Sequence, residues 1–127
     1  MPLIKKMDQE YTHQKGELMR MLMHVRLPHQ PFNAYVQDGS VGNKINQILE
    51  ATKPEAVYFT EYDGHRGAVM IVQVENPSKV PSFAEPWFLL FNADVQFHIV
   101  MKPEDLASAG LDTIGKKWSS LIPVMSN

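Results

Sequence analysis

The stretch LMRMLMHVRL, residues 18–27, alternates. Met19, Met21, Met23 and Val25 make one apolar row, and Arg20, Leu22, His24 and Arg26 make a mixed one. A period of two predicts a strand with two unlike faces, and Pro28 and Pro31 break it. The period then changes. Val41, Ile45, Ile48 and Leu49 recur at helical spacing, and Pro31 suits a first turn. The pattern predicts one helix as far as Thr52, kinked at Asp38-Gly39 and ended by Lys53-Pro54. EAVYFTEY (55–62) and HRGAVMIVQV (65–74) are rich in β-branched and aromatic residues. They meet at Asp63-Gly64, the dipeptide of a type I′ turn. NPSKVPSFAEPWFLLFNA (76–93) is strongly apolar at helical spacing, and Pro77, Pro81 and Pro86 predict two short helical segments. DVQFHIVM (94–101) alternates again, with Val95, Phe97, Ile99 and Met101 set against Gln96, His98 and Val100. Pro103 opens a last short helix, Glu104 to Ala109, which Gly110 stops; the tail around Ile114 and Trp118 adds a turn or two.

The order β-α-β-β-α-β plus a C-terminal helix is that of an α+β, ferredoxin-like fold. Its four strands form an antiparallel sheet in the order 4-1-3-2, with the helices on one face. The third strand carries Ala68, Met70 and Val72 on one side and Val69 and Ile71 on the other. Both faces are apolar, so the face without helices also needs cover. A chain of this length has no further element to supply it. A second copy can, which predicts a homodimer packed open face to open face.

Composition narrows the function classes. The 127 residues suffice for one core, over 19–127, and residues 1–18 read as a polar extension or arm without periodicity, with Met19 as another in-frame methionine. The N-terminus has no apolar h-region, and no apolar run reaches the roughly 20 residues of a membrane helix. A net charge of −2 gives no basic footprint for nucleic acid or an anionic membrane. The third strand RGAVMIVQV also lacks the stacking rings of an RNA-binding sheet, and GSVGNK has neither nucleotide-loop spacing. There is no cysteine. Thiolate catalysis and Cys-ligated metal are excluded, and a reducing cytoplasm fits.

Three stretches, KPEAVYFTEYDGHRG, AEPWFLLFNADVQFHIVM and PEDLASAGL, give the chain from Met19 to Trp118 its resemblance to the dimeric α/β barrel superfamily, in particular small bacterial members of uncharacterised function. That superfamily includes cofactor-free monooxygenases, muconolactone isomerase-like enzymes, haem-handling members and ligand-sensing modules. The resemblance implies a pocket on the open sheet face, not a particular chemistry. No catalytic motif of a characterised branch is matched, so no family residue is carried over.

Two clusters compete for that site. Glu61, Asp63, His65 and Arg66 crowd the hairpin tip, where turn chemistry accounts for all but Arg66, a guanidinium suited to gripping a carboxylate. The second cluster comes from the outer and inner strands. If 4-1-3-2 holds, His24 and Arg26 share the open face with Gln96 and His98, and Tyr58, Thr60 and Tyr62 turn the same way. His24 or His98 then serves as general base, Tyr58 donates to a developing oxyanion, and Arg26, Gln96 and Arg66 bind substrate. The chemistry this suggests is cofactor-independent, of monooxygenase or isomerase type, with no metal or haem called for. The alternative is a non-catalytic ligand-binding or assembly module whose polar row serves only the dimer interface. Trp87, Phe88 and Phe91 read as a core layer, and Asn92 as a helix C-cap.

Overall fold

The computed structural model describes residues 18–121 and 123, so the N-terminal extension expected over 1–18 lies outside the described residues but for Leu18. The elements run β1 (Met19–Leu27), α1 (His29–Asp38), α2 (Val41–Thr52), β2 (Ala56–Tyr62), β3 (His65–Val74), a 3-10 turn (Pro77–Lys79), α3 (Val80–Phe91), β4 (Asp94–Ile99), α4 (Pro103–Ser108) and α5 (Leu111–Ser119). The four strands form one antiparallel sheet in the order β2-β3-β1-β4, which is the expected order read from the other edge.

Alternation sets the two faces. Met21, Met23, Val25 and Leu27 of β1, with Ala68, Met70, Val72 and Val74 of β3, are buried on one side. Ile48 of α2 and Trp87 and Phe91 of α3 pack onto them. The helical stripe Val41, Ile45, Ile48 and Leu49 faces this core as its spacing predicts. The Tyr35 hydroxyl donates to the Leu90 carbonyl oxygen at 2.7 Å, tying α1 to α3. The aromatic cluster splits: Trp87 and Phe91 are fully buried, whereas Phe88 is 41% exposed.

Three local readings change. The helix predicted to run on to Thr52 is two helices, because Gly39 takes φ 80° and ends α1, while the Asp38 carboxylate accepts from Ser40 N–H at 2.9 Å. The apolar stretch around three prolines is a 3-10 turn followed by one continuous α3 that keeps Pro86 inside it. Pro81 fits the first turn, and burial of Ala84, Trp87 and Phe91 along one stripe outweighs the hydrogen bond that Pro86 forgoes. The C-terminal tail forms a nine-residue helix, α5, after Gly110 at φ 75°. The last strand ends at Ile99, short of the Met101 to which its alternation extends, whereas two turn readings stand. Asp63 (φ 51°) and Gly64 (φ 76°) form the left-handed pair of a type I′ hairpin, and Asn92 (φ 54°) caps α3 with its N–H on the Phe88 carbonyl oxygen.

At the far end of the sheet from the hairpin, the Arg20 guanidinium grips Glu55 through Nε (3.2 Å to each oxygen) and Nη2 (2.7 Å), and Gln73 donates to the same carboxylate at 2.7 Å. These bonds, Arg20 first, hold the Glu55 carboxyl below the usual glutamate range and raise Arg20. A carboxyl whose pKa is lower folded than unfolded binds fewer protons in the folded state. Its stabilisation is therefore complete above the ordinary glutamate pKa and is lost as pH falls through the lowered one. Glu55→Gln is expected to melt below wild type at neutral pH, with the gap closing on acidification and in high salt. Melting curves across pH check this, and a gap that widens in acid would contradict it.

Candidate functional site on the open sheet face

Side chains on the face away from the helices fall into rows across the strands. Tyr58, Val69, His24 and Gln96 make one row; Thr60, Gly67, Arg26 and Asp94 the next toward the hairpin; Ala56, Ile71, Leu22 and His98 the next away from it. The expected face assignment therefore holds for His24, Arg26, Gln96, His98 and Tyr58.

The middle of this face is shaped by Gly67. A Cβ there would stand 3.3 Å from the Val25 carbonyl oxygen and 3.4 Å from the Tyr62 Cβ, so glycine leaves room that a larger residue would fill. Tyr62, at the end of β2, leans over β3 and meets His24 of β1 edge-on, with ring centroids 4.4 Å apart at 80°. That contact fixes the imidazole plane from one side.

A hollow of about 390 Å³ opens beside this pair at the β4 edge. His24, Arg26, Asp94, Gln96 and Tyr62 line it, with Phe88 and Val95 as its apolar wall. Its size and mixed lining suit a small molecule. Arg26 Nη2 lies 3.1 Å from His65 Nδ1, and Nη1 lies 3.5 Å from the Asp94 carboxylate. His65 Nδ1 is also 3.1 Å from the Asp63 carbonyl oxygen. One nitrogen cannot serve both: with its proton on Nε2 the ring accepts from Arg26, and with it on Nδ1 the ring donates to Asp63. His65 stacks on His29 at 4.6 Å. Among the described residues Arg26 thus has His65 as a hydrogen-bond partner in one tautomer and Asp94 as an ion-pair partner, which leaves guanidinium N–H groups for a ligand.

The hollow brings together three of the six residues singled out from the sequence: His24, Arg26 and Gln96. His98 shares the face but stands one row away, opposite Leu22, and Tyr58 lies two strands from His24 with 70% of its surface exposed. Arg66 points to the opposite face. Its guanidinium lies 4.2 Å from the Phe32 ring and donates to Asn33 Oδ1 at 2.8 Å. There it borders a second, mostly apolar hollow of about 380 Å³ with Leu27, Phe32, Ile45 and Phe59.

The sequence pattern does not single out Tyr62 and Asp94. Alternation puts Tyr62 on this face, but only a glycine at 67 indicates that it can cross a strand. Asp94 is a same-face carboxylate that the reading of the last strand from Val95 onward passes over. Among the described residues, no group of three His, Asp or Glu side chains stands close enough to hold a metal ion, and no helix is long and apolar enough to cross a membrane. Comparison with protein-family models, curated proteins and solved structures gives no match to this chain.

Proposed function

We propose that the chain forms a homodimeric α/β barrel whose open sheet face binds a small, partly apolar organic acid in the hollow at the β4 edge. The observation that carries this reading is the convergence of Arg26, His24 and Gln96 on one hollow with an aromatic wall. A ligand carboxylate seated on the free donors of Arg26 would lay its body against Tyr62, Phe88 and Val95. His24, held edge-on by Tyr62, would take or return a proton, which is the contribution the chain's own residues make to a cofactor-independent oxygenase- or isomerase-type reaction. The dimer is supported by Val69 and Ile71, half-buried apolar side chains on the face opposite the helical layer of α1, α2 and α3. A cytoplasmic setting is supported by the absence of cysteine.

One observation favours a second reading. Arg26 already meets both His65 and Asp94, which is what a polar row serving only an interface would do. Arg26→Gln decides between them. Benzoate and phenylpyruvate, titrated calorimetrically, are expected to bind wild type, to bind Arg26→Gln about 10- to 100-fold more weakly, and to bind His98→Ala as wild type. Equal affinity for wild type and Arg26→Gln, or no saturable binding of either acid, would favour the interface reading.

A further inference from the structure

Every residue from Met101 to Leu121 is exposed, although most of this segment is helical. Along α5 and just beyond, Leu111, Ile114, Trp118 and Leu121 recur at helical spacing, 45–68% exposed, and Leu106 of α4 adds to them. The arm leaves the sheet at Val100, whose N–H still donates to the Arg20 carbonyl oxygen. A hollow of about 720 Å³, bordered by Arg20, Gln73, Ile99, Met101 and Asp105, separates its root from the sheet end. An amphipathic helix that buries nothing in its own fold has no source of stability there, because short helices are marginal in water without packing.

The open sheet face presents the matching deficit: on the β2–β3 side Tyr58 is exposed, and Val69 and Ile71 are only half-buried. The arm departs from β4, at the opposite edge of the sheet. We infer that α4 and α5 form an exchange arm whose apolar stripe seats on the β2–β3 side of the open face of a second copy, with that copy's arm seated reciprocally.

The inference rests on the homodimer proposed above and adds what closes it. Two-fold pairing requires each copy to offer both a stripe and a strip that receives it, and this chain offers both. The open face has about sixteen outward positions, short of the roughly 20–30 residues a side in a standard interface, and the arm makes up the difference. Charge points the same way. Lys102, Lys116 and Lys117 are balanced by Glu104, Asp105 and Asp112, so the arm is neutral and suits a protein surface better than an anionic membrane. Seated so, the arm of one copy covers Tyr58 and Val69, beside the Tyr62–His24 pair that lines the hollow.

Ile114→Glu and Trp118→Glu test this in the full chain, since both positions are exposed within the protomer and neither change should disturb its fold. By sedimentation, each variant is expected to raise the dimer dissociation constant about 100-fold or more while keeping the wild-type circular dichroism. Because the chain has no cysteine, Tyr58→Cys and Trp118→Cys copies carrying different tags should form a mixed disulfide when combined. Variants that remain as dimeric as wild type, with no mixed disulfide, would overturn the exchange arm and leave the barrel dimer standing. A wild-type chain that is monomeric at all concentrations would overturn both. Trp118 emission that shifts on anionic vesicles but not with protein concentration would assign the stripe to a membrane and overturn the exchange.

Discussion

Trp87→Ala is expected to lower the free energy of unfolding by about 3–5 kcal/mol, the cost of emptying a large aromatic site in a core. Trp87 has no exposed surface and packs at 5.7 Å from Phe91, which in turn meets Phe32 and Tyr35. Its removal takes the centre from the layer that joins α1 and α3 to the sheet, and a small domain has only about 5–15 kcal/mol in all. The indole Nε1–H is buried without a hydrogen-bond partner among the described residues, so part of the gain from burying the ring is offset by an unpaired donor. Trp87→Phe, which keeps much of the apolar contact and drops that donor, should therefore fall well short of the alanine loss. Phe88→Ala, one position along and partly exposed, should cost least of the three. Urea unfolding curves rank them, and a Phe88 loss as large as that at Trp87 would contradict the inward orientation of α3.

Gly67→Val carries the second large effect, because it acts on strand packing and on the site together. The added Cβ would sit 3.3 Å from the Val25 carbonyl oxygen, on the neighbouring strand's backbone, which cannot swing aside as a side chain can. Overpacking of this kind costs about 1–3 kcal/mol. On the other side it meets the Tyr62 Cβ and the Thr60 methyl, pushing Tyr62 off its contact with His24. A lower melting temperature is expected together with a shift in the His24 ring proton resonances, as the edge-on aromatic neighbour leaves. Unchanged melting and unchanged His24 resonances would show that the glycine is not what lets Tyr62 cross the sheet.

The sheet was legible in the sequence because strand alternation states directly which residues share a face. The placement of His24, Arg26, Gln96 and His98 together follows from alternation plus the order 4-1-3-2. Alternation does not state the row. His98 and Tyr58 are on the right face but outside the hollow, whose position depends on where α3 ends and lets Phe88 meet the β4 edge. The same limit applies at Arg66: one residue past His65, it belongs to the opposite face, where Phe32 and Asn33 hold it. Pro86 predicts a break because its local cost is readable in the sequence, while the compensating burial of Trp87 and Phe91 is tertiary. In the tail, the helical spacing of Ile114 and Trp118 was visible, but nothing in a single sequence reveals that the helix finds no partner in its own fold.

The type I′ turn at Asp63-Gly64 has a consequence for how this chain can vary. It joins Tyr62 and His65 as a directly facing pair, so the count of residues across it acts as a reading frame for the whole edge of the sheet. One residue gained or lost there would turn Tyr58, Thr60 and Tyr62 toward the helices and send Val57 and Phe59 outward. The binding face and the packing of the β2 edge would fail in the same step. Drift in this hairpin is therefore constrained in length before it is constrained in identity: the charged side chains at the tip can change while the spacing between Tyr62 and His65 cannot.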